Sequence, residues 1–378
     1  MKMDHVADIC AHLGDEYDRY LGAIVPPLFQ NSLFTRKKQN HGYAYTRINN
    51  PTVEILEEKL AALEHAPAAR VFSSGMAAIS ATISSVLQRG DHVLSLRSAY
   101  YPVSTFLKEE MARFGVEVDF LGHFTKEELE QHVKPNTRLL YFESPSSNIF
   151  RILPIREITA FAKERGVVTV MDNTWATPLY QNPLDLGVDY SIHSATKYLG
   201  GHSDVIAGVV VGQQEAMDAL REKQRAGWGG CLDPFAAWLL TRSLRTFEIR
   251  MKQHSETAGR VAEYLQAPPK VKKVYYPGLK QHEGHELAKT QMRGFSGLMS
   301  MVLNADKEQS MKFVKSLELF QEGPSWGGFE SVVNTPGITT AKEIIEFEGV
   351  PEGLIRLSIG LESAESLMED LEQALAVL

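Results

Sequence analysis

Val167-Val168-Thr169-Val170-Met171 runs directly into Asp172-Asn173-Thr174-Trp175, and its first five residues show no alternation of apolar and polar side chains. A strand with one wet face alternates, so an unbroken run is expected where both faces of a sheet are covered. Further strands are expected on either side, at Arg70-Val71-Phe72, Val93-Leu94-Ser95-Leu96, and the stretches 116–120, 139–142, 188–192 and 205–211. Helical patterns fall between them, at 106–114 and 126–132. The second opens with Thr125-x-x-Glu128, the pattern of a capping box. A small-residue helix is expected after Gly75. Another starts at Pro51-Thr52 and puts Leu56, Leu60 and Leu63 on one face. This β-α-β alternation over 70–212 predicts an α/β fold with a mostly parallel sheet between helices.

Past Pro234 the pattern changes to one long helical run over 235–265, then to strands at 273–276, 298–303 and 354–359, with a last helix from about Ser363. That predicts a smaller C-terminal α+β domain. The first 45 residues have no strong period, contain Pro26-Pro27, and read as an arm that packs on something else. The expected division is an N-terminal arm over 1–45, a large domain over 46–240 and a C-terminal domain over 241–378.

A chain of 378 residues exceeds what one core usually holds, which agrees with two domains. The net charge of −8 argues against a nucleic-acid partner, which needs a basic face. No apolar run approaches the roughly 18 residues of a membrane helix. Met1-Lys2-Met3-Asp4-His5 leads into no apolar segment, so no secretory signal is expected. Cys10 and Cys231, far apart, make no disulfide framework, and a cytoplasmic location is expected.

Three segments carry chemistry. In Ser194-Ala195-Thr196-Lys197-Tyr198 a lysine sits between an apolar strand and the turn Leu199-Gly200-Gly201-His202, with hydroxyls one and three residues before it. A lysine held from bulk water becomes a neutral amine, as Schiff-base chemistry requires, and the hydroxyls beside it suit a phosphate. Asp172 ends its strand, and in parallel α/β sheets ligands bind beyond the carboxyl ends of strands. A carboxylate there can serve a pyridine nitrogen, or it can simply cap a helix. Ser73-Ser74-Gly75-Met76 follows a strand and opens a helix, whose free N–H groups can bind phosphate. Neither G-x-x-x-x-G-K-[ST] nor G-x-G-x-x-G occurs, so a nucleotide is not indicated. His282-Glu283-Gly284-His285 lacks zincin spacing and a third ligand; it reads as a solvated segment, and no metal is expected.

Taken in order, these segments closely resemble the Cys/Met-metabolism family of pyridoxal-phosphate enzymes, which includes cystathionine γ-synthase, cystathionine β- and γ-lyases and methionine γ-lyase. The resemblance runs from about Pro26 to the C-terminus. It is carried by Tyr45-Thr46-Arg47-Ile48-Asn49-Asn50-Pro51-Thr52, Ser74-Gly75-Met76, Glu143-Ser144-Pro145, Asp172-Asn173-Thr174, Ser194-Ala195-Thr196-Lys197-Tyr198-Leu199, Gly201-His202-Ser203-Asp204, Gly327-Gly328-x-Glu330-Ser331 and 356–362. It implies a fold-type I enzyme with a seven-stranded sheet, and makes 46–240 the cofactor-binding domain. Lys197 would form the Schiff base with pyridoxal 5'-phosphate and shuttle protons, Asp172 would hold the pyridinium nitrogen, and Tyr100 would stack on the ring and assist proton transfer. Gly75, Met76, Ser194 and Thr196 would hold the phosphate. Tyr45 and Arg47 would reach it from a neighbouring subunit, which implies a homotetramer built of dimers. Arg356, helped by Ser325, would clamp the substrate carboxylate.

Within the family the signals are mixed. Ser325-Trp326-Gly327-Gly328, Ala99-Tyr100-x-Pro102 and Glu143-Ser144-Pro145-Ser146-Ser147 resemble cystathionine β-lyase, whereas 45–52 is closer to the γ-enzymes. Either Ser147 or Asn148 takes the place of an asparagine that contacts the ring oxygen. Trp326, Phe329, Tyr101 and the loop 39–44 are candidates for the distal pocket. The expected reaction is a carbon–sulfur β-elimination from L-cystathionine or a cysteine S-conjugate, with γ-elimination or γ-replacement as the rival. A non-catalytic regulatory homologue is the remote third reading, and every chemical residue being present argues against it.

Overall fold

A computed structural model describes residues 5–36 and 42–378. Seven strands form the first sheet: β1 (Ala68–Phe72), β2 (His92–Leu96), β3 (Glu117–Leu121), β4 (Thr137–Glu143), β5 (Val168–Asp172), β6 (Tyr190–Ser194) and β7 (Gly208–Gly212). Their order is β3-β2-β4-β5-β6-β7-β1. The five strands from β3 to β6 are parallel, while β7 runs antiparallel to both of its neighbours. The mostly parallel sheet is therefore as expected, and β5 is buried at its centre.

Helices cover this sheet. Pro51–Leu63 starts where the Asn50 side chain accepts the Thr52 N–H at 2.9 Å, with proline in the first turn. It buries Leu56, Leu60 and Leu63 as its spacing predicts. Gly75–Val86 is capped by Ser74, whose hydroxyl accepts the Ala77 N–H at 3.0 Å. Gly208 allows β7 to pass beneath this start: a Cβ there would lie 2.1 Å from the Ser74 carbonyl oxygen. At 106–114 the helix Tyr101–Thr105 widens into a π-type turn, Phe106–Met111. Before Lys126–His132 only half of the capping box forms. Thr125 caps Glu128, but the Glu128 carboxylate accepts the N–H groups of Gly122, His123 and Phe124 instead.

The long run over 235–265 is two helices, Pro234–Leu244 and Phe247–Leu265. The break at Arg245-Thr246 is stabilised by Arg250, whose guanidinium donates to the carbonyls of Ser243 and Tyr198, both at 2.9 Å. Apolar periodicity does not reveal that break, because Leu244 and Phe247 on either side of it are buried in the same cluster. A second sheet follows, from β8 (Val271–Tyr275), β9 (Leu298–Leu303), β10 (Gln321–Glu322), β11 (Val332–Asn334) and β12 (Leu354–Ser358), in the order β10-β11-β12-β9-β8. The two short strands β10 and β11 carry too few residues to show a pattern in sequence.

The N-terminal stretch does not all pack elsewhere. Helix Val6–His12 buries Ile9 and Cys10 in the same cluster as Leu56 and Leu60. The fully buried Lys59 donates to the carbonyls of Ile9 and Cys10 at 3.3 and 3.4 Å. Only the next segment lies open, with Leu21, Ile24 and Leu33 at 101, 75 and 72% exposure. Among the described residues no helix is long and apolar enough to cross a membrane. Nor do any three His, Cys, Asp or Glu group as a metal site. His282 and His285 are buried rather than solvated, their rings bonded to the carbonyls of Phe150 and Pro277.

Candidate active site

The carboxyl ends of β4, β5 and β6 place Glu143, Asp172 and Ser194 side by side; Glu143 pairs with Asp172 in register, and Asp172 with Ile192. They open into a cavity of about 400 Å³. Gly75, Met76, Tyr100, Asp172, Ser194, Thr196, Lys197, Trp326 and Arg356 all line it. So do Ser147 and Asn148.

Lys197 follows β6 on a turn whose Gly200 and Gly201 amides bond back to Ala195 and Lys197. Its Nζ donates to the Ser325 hydroxyl at 2.8 Å and lies 5.5 Å from the centre of the Trp326 ring. Burial, then the positive charge of Arg356, bring this amine down to about 8, against an opposing pull from Asp172. The loop carrying Ser325 and Trp326 rests directly on the lysine. Gly327 has a φ of +82°, and a Cβ on it would lie 2.9 Å from the Tyr198 nitrogen, so only glycine lets the loop settle there.

Asp172 Oδ1 accepts both the N–H and the hydroxyl of Thr174, and among the described residues no donor bonds Oδ2. Burial pushes Asp172 and Glu143 upward together, but unequally. Glu143 is carried to about 8 by burial and then by the charge of Asp172. Asp172 is raised by burial too, but the two Thr174 bonds and the nearby Lys197 charge oppose that rise and favour its ionised form. Tyr100 stands at the start of helix Tyr101–Thr105, with its ring half exposed to the cavity; burial and the charge of Asp172 raise its hydroxyl. Arg356 reaches in from β12 and donates to the Pro324 carbonyl at 2.6 Å. Burial lowers it to about 10, still protonated at neutral pH.

The start of helix Gly75–Val86 packs closely on the cavity wall. Gly75 lies so close to β6 that a Cβ would sit 3.0 Å from the Ser194 Cβ. The amides of a helix's first turn have no partners within the helix. Gly75 and Met76, in that first turn, line the same cavity as Ser194 and Thr196. The Thr196 hydroxyl is shared with Ala207, at 3.1 Å from its N–H.

Tyr45 and Arg47 do not enter this cavity. They line a separate hollow with Gln30, Asn31, Cys231 and Asp233, and the Arg47 guanidinium sits 5.8 Å over the Tyr45 ring. Phe329 and Tyr101 are also outside the cavity. Phe329 follows the turn at Gly327-Gly328 and is 54% exposed, while Tyr101 begins a helix and faces away. Of the loop 39–44, residues 39–41 lie outside the described residues. Sequence reasoning gave no role to Glu143, nor to the apolar wall of Ile79, Phe150, Trp175, Ile206 and Leu298. Glu143 had a readable signal, since it ends its strand just as Asp172 does.

Residues 7–376 match the model of a family described as Cys/Met metabolism PLP-dependent enzymes. The chain belongs to that family. It is 39% identical to an L-methionine gamma-lyase of Fusobacterium nucleatum subsp. nucleatum, covering 99% of each chain. It is 40% identical to a cystathionine beta-lyase of Lactococcus lactis subsp. cremoris, covering 96% of this chain and 97% of the other. The crystal structure of cystathionine gamma synthase from Xanthomonas oryzae pv. oryzae, in complex with aminoacrylate and cysteine, superposes with a TM-score of 0.95 at 35% identity, over 99% and 98% of the two chains. The protein is thus a pyridoxal-phosphate-dependent enzyme among carbon–sulfur lyases. Its cavity fits that cofactor at both ends: a glycine-lined helix start with hydroxyls for the phosphate, and a buried carboxylate with one free oxygen for the ring nitrogen.

Proposed function

We propose that this enzyme cleaves the β-carbon–sulfur bond of L-cystathionine or a similar cysteine S-conjugate. With one water consumed, L-cystathionine gives homocysteine, pyruvate and ammonia. Bound pyridoxal phosphate supplies an electron sink for the pair left when the α-proton departs. The Gly75 and Met76 amides with the Ser194 and Thr196 hydroxyls hold its phosphate. Asp172 keeps the ring nitrogen protonated, and Tyr100 stacks on the ring. Lys197 Nζ would hold the cofactor at its aldehyde carbon, and as a free amine it would take the substrate α-proton, a role suited to an amine near 8. Arg356 orients the substrate carboxylate, a task for which a guanidinium fork is suited. Tyr100 keeps its hydroxyl proton at neutral pH and can give it to the departing sulfur.

Trp326 carries the choice of β over γ. A γ-elimination needs a second proton removed, at the β-carbon, by an amine free to swing. Here the indole packs edge-on against Tyr198 at 5.4 Å and stands 5.5 Å from Nζ, which narrows the arc open to Lys197. We further propose a homotetramer built of dimers, with Tyr45 and Arg47 serving a neighbour's phosphate. Their exposed hollow, lined by none of the residues of the chain's own cavity, supports this reading. Incubating the purified holoenzyme with L-cystathionine tests the reaction: pyruvate with homocysteine is expected, and 2-oxobutyrate with cysteine would overturn it.

A further inference from the structure

Glu143 ends β4 in the catalytic cavity, 6% exposed, in register beside Asp172. Its Oε1 accepts the Tyr100 N–H at 2.6 Å, and its Oε2 lies 2.8 Å from the Ser147 hydroxyl. These two partners belong to different rims, the loop after β2 and the loop after β4. We propose that Glu143 is a positioning residue, tying the Tyr100 main chain and the Ser147 hydroxyl to the strand end beside Asp172. The inference rests on this cavity being the reaction site, and not on which carbon loses sulfur.

The charge state follows from the neighbours. The groups that face Glu143 are Asp172 on β5, Glu348 from the helix Lys342–Glu348, Tyr100, and Tyr141 on its own strand. Two of these are carboxyls, and none is a cation. Two adjacent buried carboxyls do not both ionise. Asp172 has Lys197 nearby and two donors on Oδ1, so the shared proton belongs to Glu143. A neutral Glu143 still accepts the Tyr100 N–H through its carbonyl oxygen, and its other oxygen stays within 2.8 Å of the Ser147 hydroxyl. Glutamine reproduces both contacts, with an amide oxygen for Tyr100 and an N–H for Ser147. Aspartate is one methylene too short, and alanine offers neither contact.

The test compares Glu143→Gln, Glu143→Asp and Glu143→Ala holoenzymes by kinetics, thermal midpoint and difference infrared spectroscopy. Glu143→Gln is expected to keep kcat within about threefold, while Glu143→Asp and Glu143→Ala lose about tenfold or more, as expected for an unmade buried hydrogen bond. The loss falls mainly on kcat rather than KM, because Arg356 still binds the carboxylate. The wild-type holoenzyme at pH 7 shows a protonated-carboxyl band that Glu143→Gln lacks. Should Glu143→Ala not fold, the glutamine variant and the infrared band still decide. Glu143→Gln as impaired as Glu143→Ala, Glu143→Asp the most active of the three, or no protonated band at pH 7 overturns the assignment. A γ-reaction would change the products without altering this ranking of variants.

Discussion

Two hollows on this chain are lined by residues that the sequence singles out, and they are built in opposite ways. The cavity at the ends of β4, β5 and β6 draws its walls from both sheets, buries its acids, and shifts its amine, its arginine and its carboxyls away from their ordinary values. The hollow around Tyr45 and Arg47 is open, and both of these motif residues are exposed. Equally distinctive motifs therefore differ in what they reach. Perturbed groups mark the place where one chain completes its own chemistry. An exposed motif outside that cavity marks a place that acts only when something else arrives.

The sharpest test of this contrast removes the amine. Lys197→Ala should lower turnover by about 10³-fold or more, the order seen when a residue that acts covalently is deleted. A spectrum with no absorbance from covalently held cofactor should accompany it. If turnover survived, the first hollow would not be the reaction site. Next in size, Arg356→Lys should raise KM about 10- to 100-fold with a smaller change in kcat, since one ammonium replaces a charged fork. Steady-state kinetics would show the split.

The second hollow is tested by mixing. Arg47→Ala alone should weaken cofactor retention about tenfold, as one charge-assisted contact to phosphate is lost. Arg47→Ala subunits combined with Lys197→Ala subunits should regain activity above either parent, because one site in a mixed dimer keeps both residues. No regain would place Arg47 outside a shared site. The smallest effect concerns Glu143. Its native value, about 8, stands above that of an unfolded glutamate, so the native state binds the proton more tightly. The stability this gives is complete below the unfolded glutamate range and is lost as pH rises through about 8. Glu143→Gln should therefore match the wild type near pH 5 and exceed its Tm by about 2–5 °C near pH 9.

Much of this was legible without coordinates. The unalternating runs identified the covered sheet, and Asp172, Lys197 and Gly75 stood at strand and helix ends where an α/β fold presents ligands. What escaped notice depended on long-range partners. Arg250 divides the helical run by bonding Tyr198, 52 residues before it in sequence. Glu128 turns away from its cap toward three preceding amides. The histidines at 282 and 285 read as solvated because their carbonyl partners include Phe150, 132 residues from His282. Glu143 could be read as ending its strand, but its place beside Asp172 comes from the register of β4 against β5, which no local pattern encodes.

The ammonium of Lys59 has a consequence for variation at the front of the chain. It is wholly enclosed, its proton affinity is reduced by that enclosure, and it donates to the Ile9 and Cys10 carbonyls. Deleting those acceptors would leave a buried cation without them, whereas Lys59→Met alone would take a donor from the Cys10 carbonyl and leave the Ile9 carbonyl only the Leu13 N–H. Either change by itself is deleterious and the pair together is tolerable. Descendants of this sequence that redesign the first helix are thus constrained to change position 59 in the same lineage, a sign-epistatic coupling written by a single buried amine.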